Sequence, residues 1–128
     1  DGVCIFATNL IGNIDAAFMR RITYVVHFPF PDAAMRRQIY RQTIPAGAPL
    51  DEDIDWDFLA EKFQLSGGHI KNIVLAAAFM AAGEGSPIAM RHLLRAAVNE
   101  LKKNEIVVVR EELREYQDLL DEPEEVKP

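Results

Sequence analysis

Two groups of polar residues near the start of the chain have types and spacing that could support chemistry. Thr8 and Asn9 follow the apolar run 3–7. A neutral amide at the carboxyl end of a buried strand can orient a water molecule or a phosphate oxygen. Arg20 and Arg21 end a short helical pattern, where guanidinium groups can neutralise a phosphoryl group or bind helix carbonyls. Taken alone, each pair is more typical of a turn or a helix end.

A third group, Ser66, Gly67 and Gly68, precedes a helical apolar pattern. Paired glycines let a ligand approach the backbone, and a helix N-terminus favours anions. The same glycines can simply allow a tight turn, so this signal is weak alone. The chain contains no Gly-x-x-x-x-Gly-Lys-Ser/Thr sequence, so it has no phosphate-cradling loop of that kind.

The elements that would position the first two groups are strands and one short helix. Residues 3–7 and 24–28 have the apolar patterns of buried strands, and Asp15 can cap a helix over 16–21. Two strands cannot make a sheet that is covered on both faces. We therefore expect the chain to be the C-terminal piece of a larger protein. We expect the two strands to be disordered, rearranged or paired with another copy.

The remainder of the chain is predicted to be helical. Residues 29–31 (Pro-Phe-Pro) end regular structure and act as a hinge-like linker. Helices are expected over residues 32–43, 56–63, 66–82 and 89–103, which makes a four-helix bundle. On the first of these helices Met35, Ile39 and Tyr40 are predicted to face inward. Three arginines are predicted to face outward: Arg36, Arg37 and Arg41.

The end of the chain is ambiguous. Apolar residues spaced 3, 4, 3, 4 predict a helix that packs on the bundle or on a partner chain, although residues 106–109 also resemble a strand. The residues of this seam are Ile106, Val109, Leu113, Tyr116 and Leu120.

Composition excludes several classes of protein. The 128 residues are 49% hydrophobic and 27% charged, which suits a packed domain. The longest run of apolar residues, 73–82, is too short to form a helix that spans a bilayer. Eight acidic and two basic residues in 111–128 account for the net charge of −6, so the body is neutral, which weighs against a nucleic-acid-binding surface. One cysteine and three scattered histidines give no metal-ligand spacing, and no metal site is expected. A cytoplasmic location is the default.

Taken together and in order, these segments closely resemble AAA+ ATPases over roughly residues 3–103. The matching segments are 5–9 (IFATN), 14–21 (IDAAFMRR), 28–32 (FPFPD) with Arg36, and 65–72 (LSGGHIKN). The resemblance implies a mainly α chain: a four-helix lid bundle preceded by a remnant of a parallel α/β nucleotide-binding core with two strands and one short helix. The implied divisions are 1–31 (core remnant), 32–104 (lid) and 105–128 (acidic C-terminal extension).

The resemblance also implies roles for individual residues. Asn9 matches the first sensor, which positions the attacking water. Arg20 and Arg21 match the arginine fingers, which reach the nucleotide bound to an adjacent subunit. Ile39 matches a position that lines the adenine pocket.

Gly67 and Gly68 match the start of the lid helix that covers the base and sugar. The chain has no arginine at the second-sensor position, which resembles the subgroup with a small-residue pair there. Lys71 is an alternative cation at that place.

By this resemblance the whole protein binds ATP and Mg and hydrolyses ATP to remodel a protein or complex, as a ring that is most often a hexamer. The phosphate loop and the Mg-binding motif are missing here, so we expect this chain alone to bind no nucleotide and to be inactive. Two alternatives stay open. One is a non-enzymatic helical protein-interaction module. The other, which the neutral body weighs against, is a nucleic-acid-binding helical domain that uses Arg36, Arg37 and Arg41.

Overall fold

A computed structural model of the chain describes residues 2–104 and 116–121. A 3₁₀ turn, Ile11–Asn13, precedes the first short helix. The helices, in chain order, are α1 (Ala16–Met19), α2 (Ala33–Thr43), α3 (Trp56–Lys62), α4 (Gly67–Glu84), α5 (Met90–Lys103) and α6 (Gln117–Asp121). Helix α4 packs against both α2 and α5, while α3 packs on α2 and α6 on α5. The predicted mainly α architecture and the four-helix bundle are confirmed.

Aspartates fix the start of the early helices. Asp15 accepts a hydrogen bond from the Ala17 amide, and Asp32 accepts one from the Met35 amide, both at 2.8 Å. Each satisfies one of the amides that the first turn of a helix leaves unpaired. These two caps confirm the predicted helix starts in this part of the chain.

The same device starts α3 and α5. Asp55 accepts a hydrogen bond from the Phe58 amide at 2.9 Å. Asp53, from the loop before α3, accepts one from the Met90 amide at 3.0 Å and so caps α5 across the fold. The loop is therefore joined to the bundle by specific backbone contacts.

The core of the bundle lies between α2, α3, α4 and α5. Its fully buried side chains recur at helical spacing on these four helices, and burying them supplies the main stabilisation of the bundle. The largest are Tyr40, Leu59, Ile70, Ile73, Met90, Leu93, Leu94 and Val74. The Tyr40 hydroxyl has no hydrogen-bond partner among the described residues, and burial raises its pKa.

A buried histidine holds the turn between α4 and α5. Gly85 ends α4 with a positive φ of 67°, the left-handed conformation that glycine adopts without steric cost. The His92 Nδ1 accepts a hydrogen bond from the Ala89 amide, so the proton lies on Nε2, which donates to Glu84 at 2.8 Å. Arg91 donates to the same carboxylate. The hydrogen bond from His92 is the largest cause that lowers the pKa of Glu84, and the positive charge of Arg91 lowers it further.

The predicted remnant of an α/β core is not confirmed. Residues 3–7 and 24–28 form no strand, and their apolar side chains are exposed, as Val3 (91%) and Phe28 (86%) illustrate. Across residues 2–104 and 116–121, the only β pairing is a single parallel bridge between Leu50 and Ile88. A strand needs backbone partners, and neither segment pairs with the other or with the bundle. The remnant of an α/β core is therefore not confirmed, and the two segments share no ladder in this chain.

Two predicted orientations on α2 are also wrong. Met35, predicted to face inward, is 44% exposed, and Arg36, predicted to face outward, is only 6% exposed. Arg36 is buried because its side chain donates to main-chain carbonyls, as described below.

Only part of the C-terminal seam can be compared with the structure. Tyr116 and Leu120 pack against the core of the bundle. The Tyr116 hydroxyl donates to Asp55, and its ring lies 4.7 Å from that of Phe58. The other seam residues lie outside the described part of the chain.

Candidate functional site

The first turn of α4 and the middle of α2 meet where the sequence predicts a nucleotide-binding surface. Asp32 begins α2 and Ser66 stands immediately before α4, although the Ser66 side chain makes no capping hydrogen bond. A Cβ atom built on Gly67 would lie 3.7 Å from the Cδ1 atom of Ile39. Two of the three predicted lid residues, Ile39 and Gly67, are therefore neighbours, and Gly68 adjoins them in the chain.

Nothing in the described fold requires glycine at position 67 or 68. Positive φ angles occur only at Gly47 and Gly85 among the glycines of the described chain. A Cβ at Gly67 or Gly68 would make only ordinary contacts, at 3.7 Å with Ile39 and at 3.9 Å with Ser66. Glycine inside a helix costs stability relative to alanine. The pair instead leaves two adjacent residues of main chain without side chains, at positions 67 and 68, beside the half-buried Ile39.

The residues predicted to act on the phosphate lie on the exposed segment before α2. Asn9 is exposed and follows Thr8, whose hydroxyl accepts a hydrogen bond from the Leu10 amide at 3.0 Å. Arg20 is the C-cap residue of α1, and Arg21 follows it; both are exposed. In the described part of the chain no hydrogen bond or ion pair engages either guanidinium group. None of these three residues lies within 4 Å of a Cβ atom built on Gly67 or Gly68, and both arginines are exposed.

Comparison with curated proteins identifies homologues across most of this chain. Katanin p60 ATPase-containing subunit A1 of Strongylocentrotus purpuratus is 32% identical over 99 residues, which are 73% of this chain and 19% of that protein. The proteasome-activating nucleotidase of Saccharolobus solfataricus is 28% identical over 117 residues, 88% of this chain and 30% of that protein. The 26S proteasome regulatory subunit 4 homolog B of Arabidopsis thaliana is 37% identical over 83 residues, 62% of this chain and 18% of that protein.

These relatives are AAA+ ATPases. The chain is an AAA+ ATPase homologue. It spans less than a third of the length of each of these relatives. No protein-family model matches the chain.

A polar cluster beside the glycine pair was missed by the sequence reasoning. The Glu100 carboxylate on α5 lies 3.0 Å from the His69 Nδ1 and accepts a hydrogen bond from the side-chain Nδ2 of Asn72 at 3.1 Å. These two hydrogen bonds, that of His69 first, lower the pKa of Glu100. The cluster fixes the first turns of this homologue's α4 against the end of α5 and so steadies the turn that carries Gly67 and Gly68. Periodicity does not reveal it, because all three residues fall at the polar edge of their helices.

Arg36 is the second residue that the sequence reasoning misplaced. Its Nε–H donates to the Ala60 carbonyl at 2.7 Å, and its Nη1–H donates to the Pro31 carbonyl at 2.5 Å. The guanidinium group thus joins α3 to Pro31, which precedes the cap residue of α2. The available signal was spacing: Arg36 lies four residues before the buried Tyr40, on the same face of α2.

No helix within the described residues has the length and apolarity needed to cross a membrane. Within residues 2–104 and 116–121 of this AAA+ homologue, no three histidine, cysteine or acidic side chains come together as metal ligands would.

Proposed function

We propose that this chain is the C-terminal part of the ATPase module of an AAA-family ATPase, which couples ATP hydrolysis to the remodelling of a protein or complex. One observation carries the proposal: a glycine pair that the fold does not require lies beside Ile39, at the start of the longest helix of a four-helix bundle. The homology supports the assignment to the family. The proposed divisions are 1–31 for the core segment, 32–104 for the lid and 105–128 for the extension.

The lid supplies the surface for the base and sugar of ATP. Ile39 offers an apolar side chain, and Gly67 and Gly68 allow close approach to the backbone of α4. The residues present thus fit the adenosine part of the nucleotide. Magnesium, where bound, would neutralise charge on the phosphates, and its acidic ligands are proposed to belong to another part of the intact protein.

The phosphate end of the reaction depends on the segment before α2. Asn9 orients the attacking water through its neutral amide. Arg20 and Arg21 stabilise the charge of the transferring phosphoryl group in the site of a neighbouring subunit. Their exposure and freedom from partners within the described chain support this role. Since each subunit gives its arginines to the next, the contact is heterologous and closes into a ring, proposed to be a hexamer.

The chain alone is proposed to be inactive, because it lacks the phosphate loop. The test is an ATPase assay on the purified chain and on its Asn9→Ala variant. We expect both to show the background rate. Turnover that survives repurification and disappears in the Asn9→Ala variant would overturn this part of the proposal.

An interaction module with no role in nucleotide binding is the competing function. It would make no use of the bare backbone at Gly67 and Gly68. Substituting these two residues in the intact protein therefore separates the two functions: only the nucleotide-binding function predicts a loss of ATP affinity.

A further inference from the structure

The Arg36 side chain bridges two parts of the fold that no helix joins. It is 6% exposed, and its two hydrogen bonds reach the carbonyl of Ala60 near the end of α3 and that of Pro31. Pro31 precedes Asp32, the residue that caps α2. The Ala60 bond lies inside the bundle. The Pro31 bond instead holds the point where the exposed segment 2–30 enters it.

The chemistry of this bridge depends on arginine. Across the described residues no ion pair includes Arg36, and its two hydrogen bonds go to main-chain carbonyls. A guanidinium group is planar, so its N–H bonds point in fixed directions. Two acceptors bound to one rigid plane are therefore held at a fixed angle to one another. An ammonium group on a flexible stem cannot impose that angle.

We propose that Arg36 is a positioning residue that sets the direction in which the chain enters the helical bundle at Pro31. The flanking residues explain why one is needed. Pro29 and Pro31 have no amide hydrogen to donate, so at these two positions the backbone can be anchored only through its carbonyls. Segment 2–30 makes no strand pairing that would orient it. Arg36 therefore fixes the angle between segment 2–30, which includes Asn9, and the helical bundle.

The direct test measures that angle in this chain. In a Cys4→Ser background, nitroxide labels on Phe30→Cys and Glu61→Cys, both at exposed positions, report the distance between the linker and α3 by double electron–electron resonance. With Arg36 present we expect a single narrow distribution. Arg36→Met and Arg36→Lys should at least double its width. Arg41→Met is the matched control, because Arg41 is an exposed arginine on the same helix.

Far-ultraviolet circular dichroism checks that each variant folds. If Arg36→Met does not fold, the distance measurement on Arg36→Lys tests the proposal. An unchanged width in a folded Arg36 variant would overturn the proposal. So would equal broadening in Arg41→Met, because the effect would then be general loosening of α2.

A consequence for turnover rests on the proposed function. In the intact ATPase, Arg36→Lys should lower kcat several-fold and leave KM for ATP within twofold, because Arg36 lies outside the predicted nucleotide contacts. If the intact wild-type protein had no ATPase activity, the proposed function would be refuted, but the distance measurement would still test the role of Arg36. If the distance distribution did not broaden in the Arg36 variants, the positioning role would be refuted, whatever the effect on turnover.

Discussion

Replacing Gly67 and Gly68 with alanine tests whether the fold or the bound nucleotide requires glycine at these positions. The Gly67→Ala, Gly68→Ala double variant adds two methyl groups that meet only Ile39 at 3.7 Å and Ser66 at 3.9 Å, both ordinary contact distances. Alanine in place of helical glycine gains about 0.5–1 kcal/mol per residue. The lower value suits a first turn, so the free energy of unfolding should rise by about 1 kcal/mol. For a domain of this size the melting temperature should rise by roughly 4–8 °C.

The stability assay is urea unfolding of this chain, followed by the fluorescence of Trp56. This residue is the single tryptophan, and its ring lies 6.2 Å from that of the buried Tyr40, so its emission reports on the core. The functional assay is ATP binding by the intact protein that contains the chain. There the two methyl groups should occupy the space that the nucleotide needs, and affinity should fall at least tenfold.

Gly83→Ala is the matched control. Gly83 lies near the other end of α4, and a Cβ there would meet nothing within 4 Å. It should stabilise the bundle by a similar amount and leave ATP affinity unchanged. If the double variant lost stability, the steric reasoning would be wrong. If it bound ATP as tightly as the wild type, the glycine pair would not face the nucleotide.

Three other changes probe the bundle itself. Gly85→Ala should cost about 1–2 kcal/mol, because Gly85 has a φ of 67°; urea unfolding measures it, and no loss would contradict the left-handed end of α4. Leu94→Ala removes a fully buried side chain from α5 and should cost about 3 kcal/mol by the same assay; a loss below ~1 kcal/mol would argue against that core. Hydrogen bonds from His69 and Asn72 lower the pKa of Glu100, so its contribution is present above the ordinary glutamate pKa and is lost as pH falls through the lowered folded value. Glu100→Gln should flatten this part of the stability–pH curve, and an unchanged curve would exclude the contribution.

The sequence predicts the helices well because their determinants are local. Asp15, Asp32 and Asp55 each precede a helix and accept an amide hydrogen bond in its first turn. The stripe of α4 repeats at helical spacing and is buried. Caps and periodicity are properties of a few neighbouring residues, so they can be recognised without knowing the fold.

The strands could not be predicted in the same way. The apolar patterns of residues 3–7 and 24–28 indicate what these segments prefer when a sheet surrounds them. A strand is stabilised by hydrogen bonds to other strands, and a pattern within one segment does not show whether those strands are present. The predicted positions of Asn9, Arg20 and Arg21 in a site depend on the same missing information.

Arg36 shows a different limit of sequence reasoning. Charged side chains usually face solvent, so the outward assignment follows the general rule. The rule fails here because the partners are the carbonyls of Pro31 and Ala60, and every residue type carries such an acceptor. Nothing in the identity of either residue marks it as the partner of an arginine. Only the three-dimensional arrangement reveals the contact.

The central claim is that Arg20 and Arg21 complete the catalytic site of another subunit. The most direct measurement mixes two inactive variants of the intact protein, Asn9→Ala and the double variant Arg20→Ala, Arg21→Ala, and follows ATP hydrolysis. In a mixed ring an Asn9→Ala subunit supplies intact arginines to the intact site of its neighbour. An equal mixture should therefore regain about a quarter of the wild-type rate, the chance of that pairing at each heterologous contact. A mixture that exchanges subunits and stays as inactive as its two components would contradict the claim.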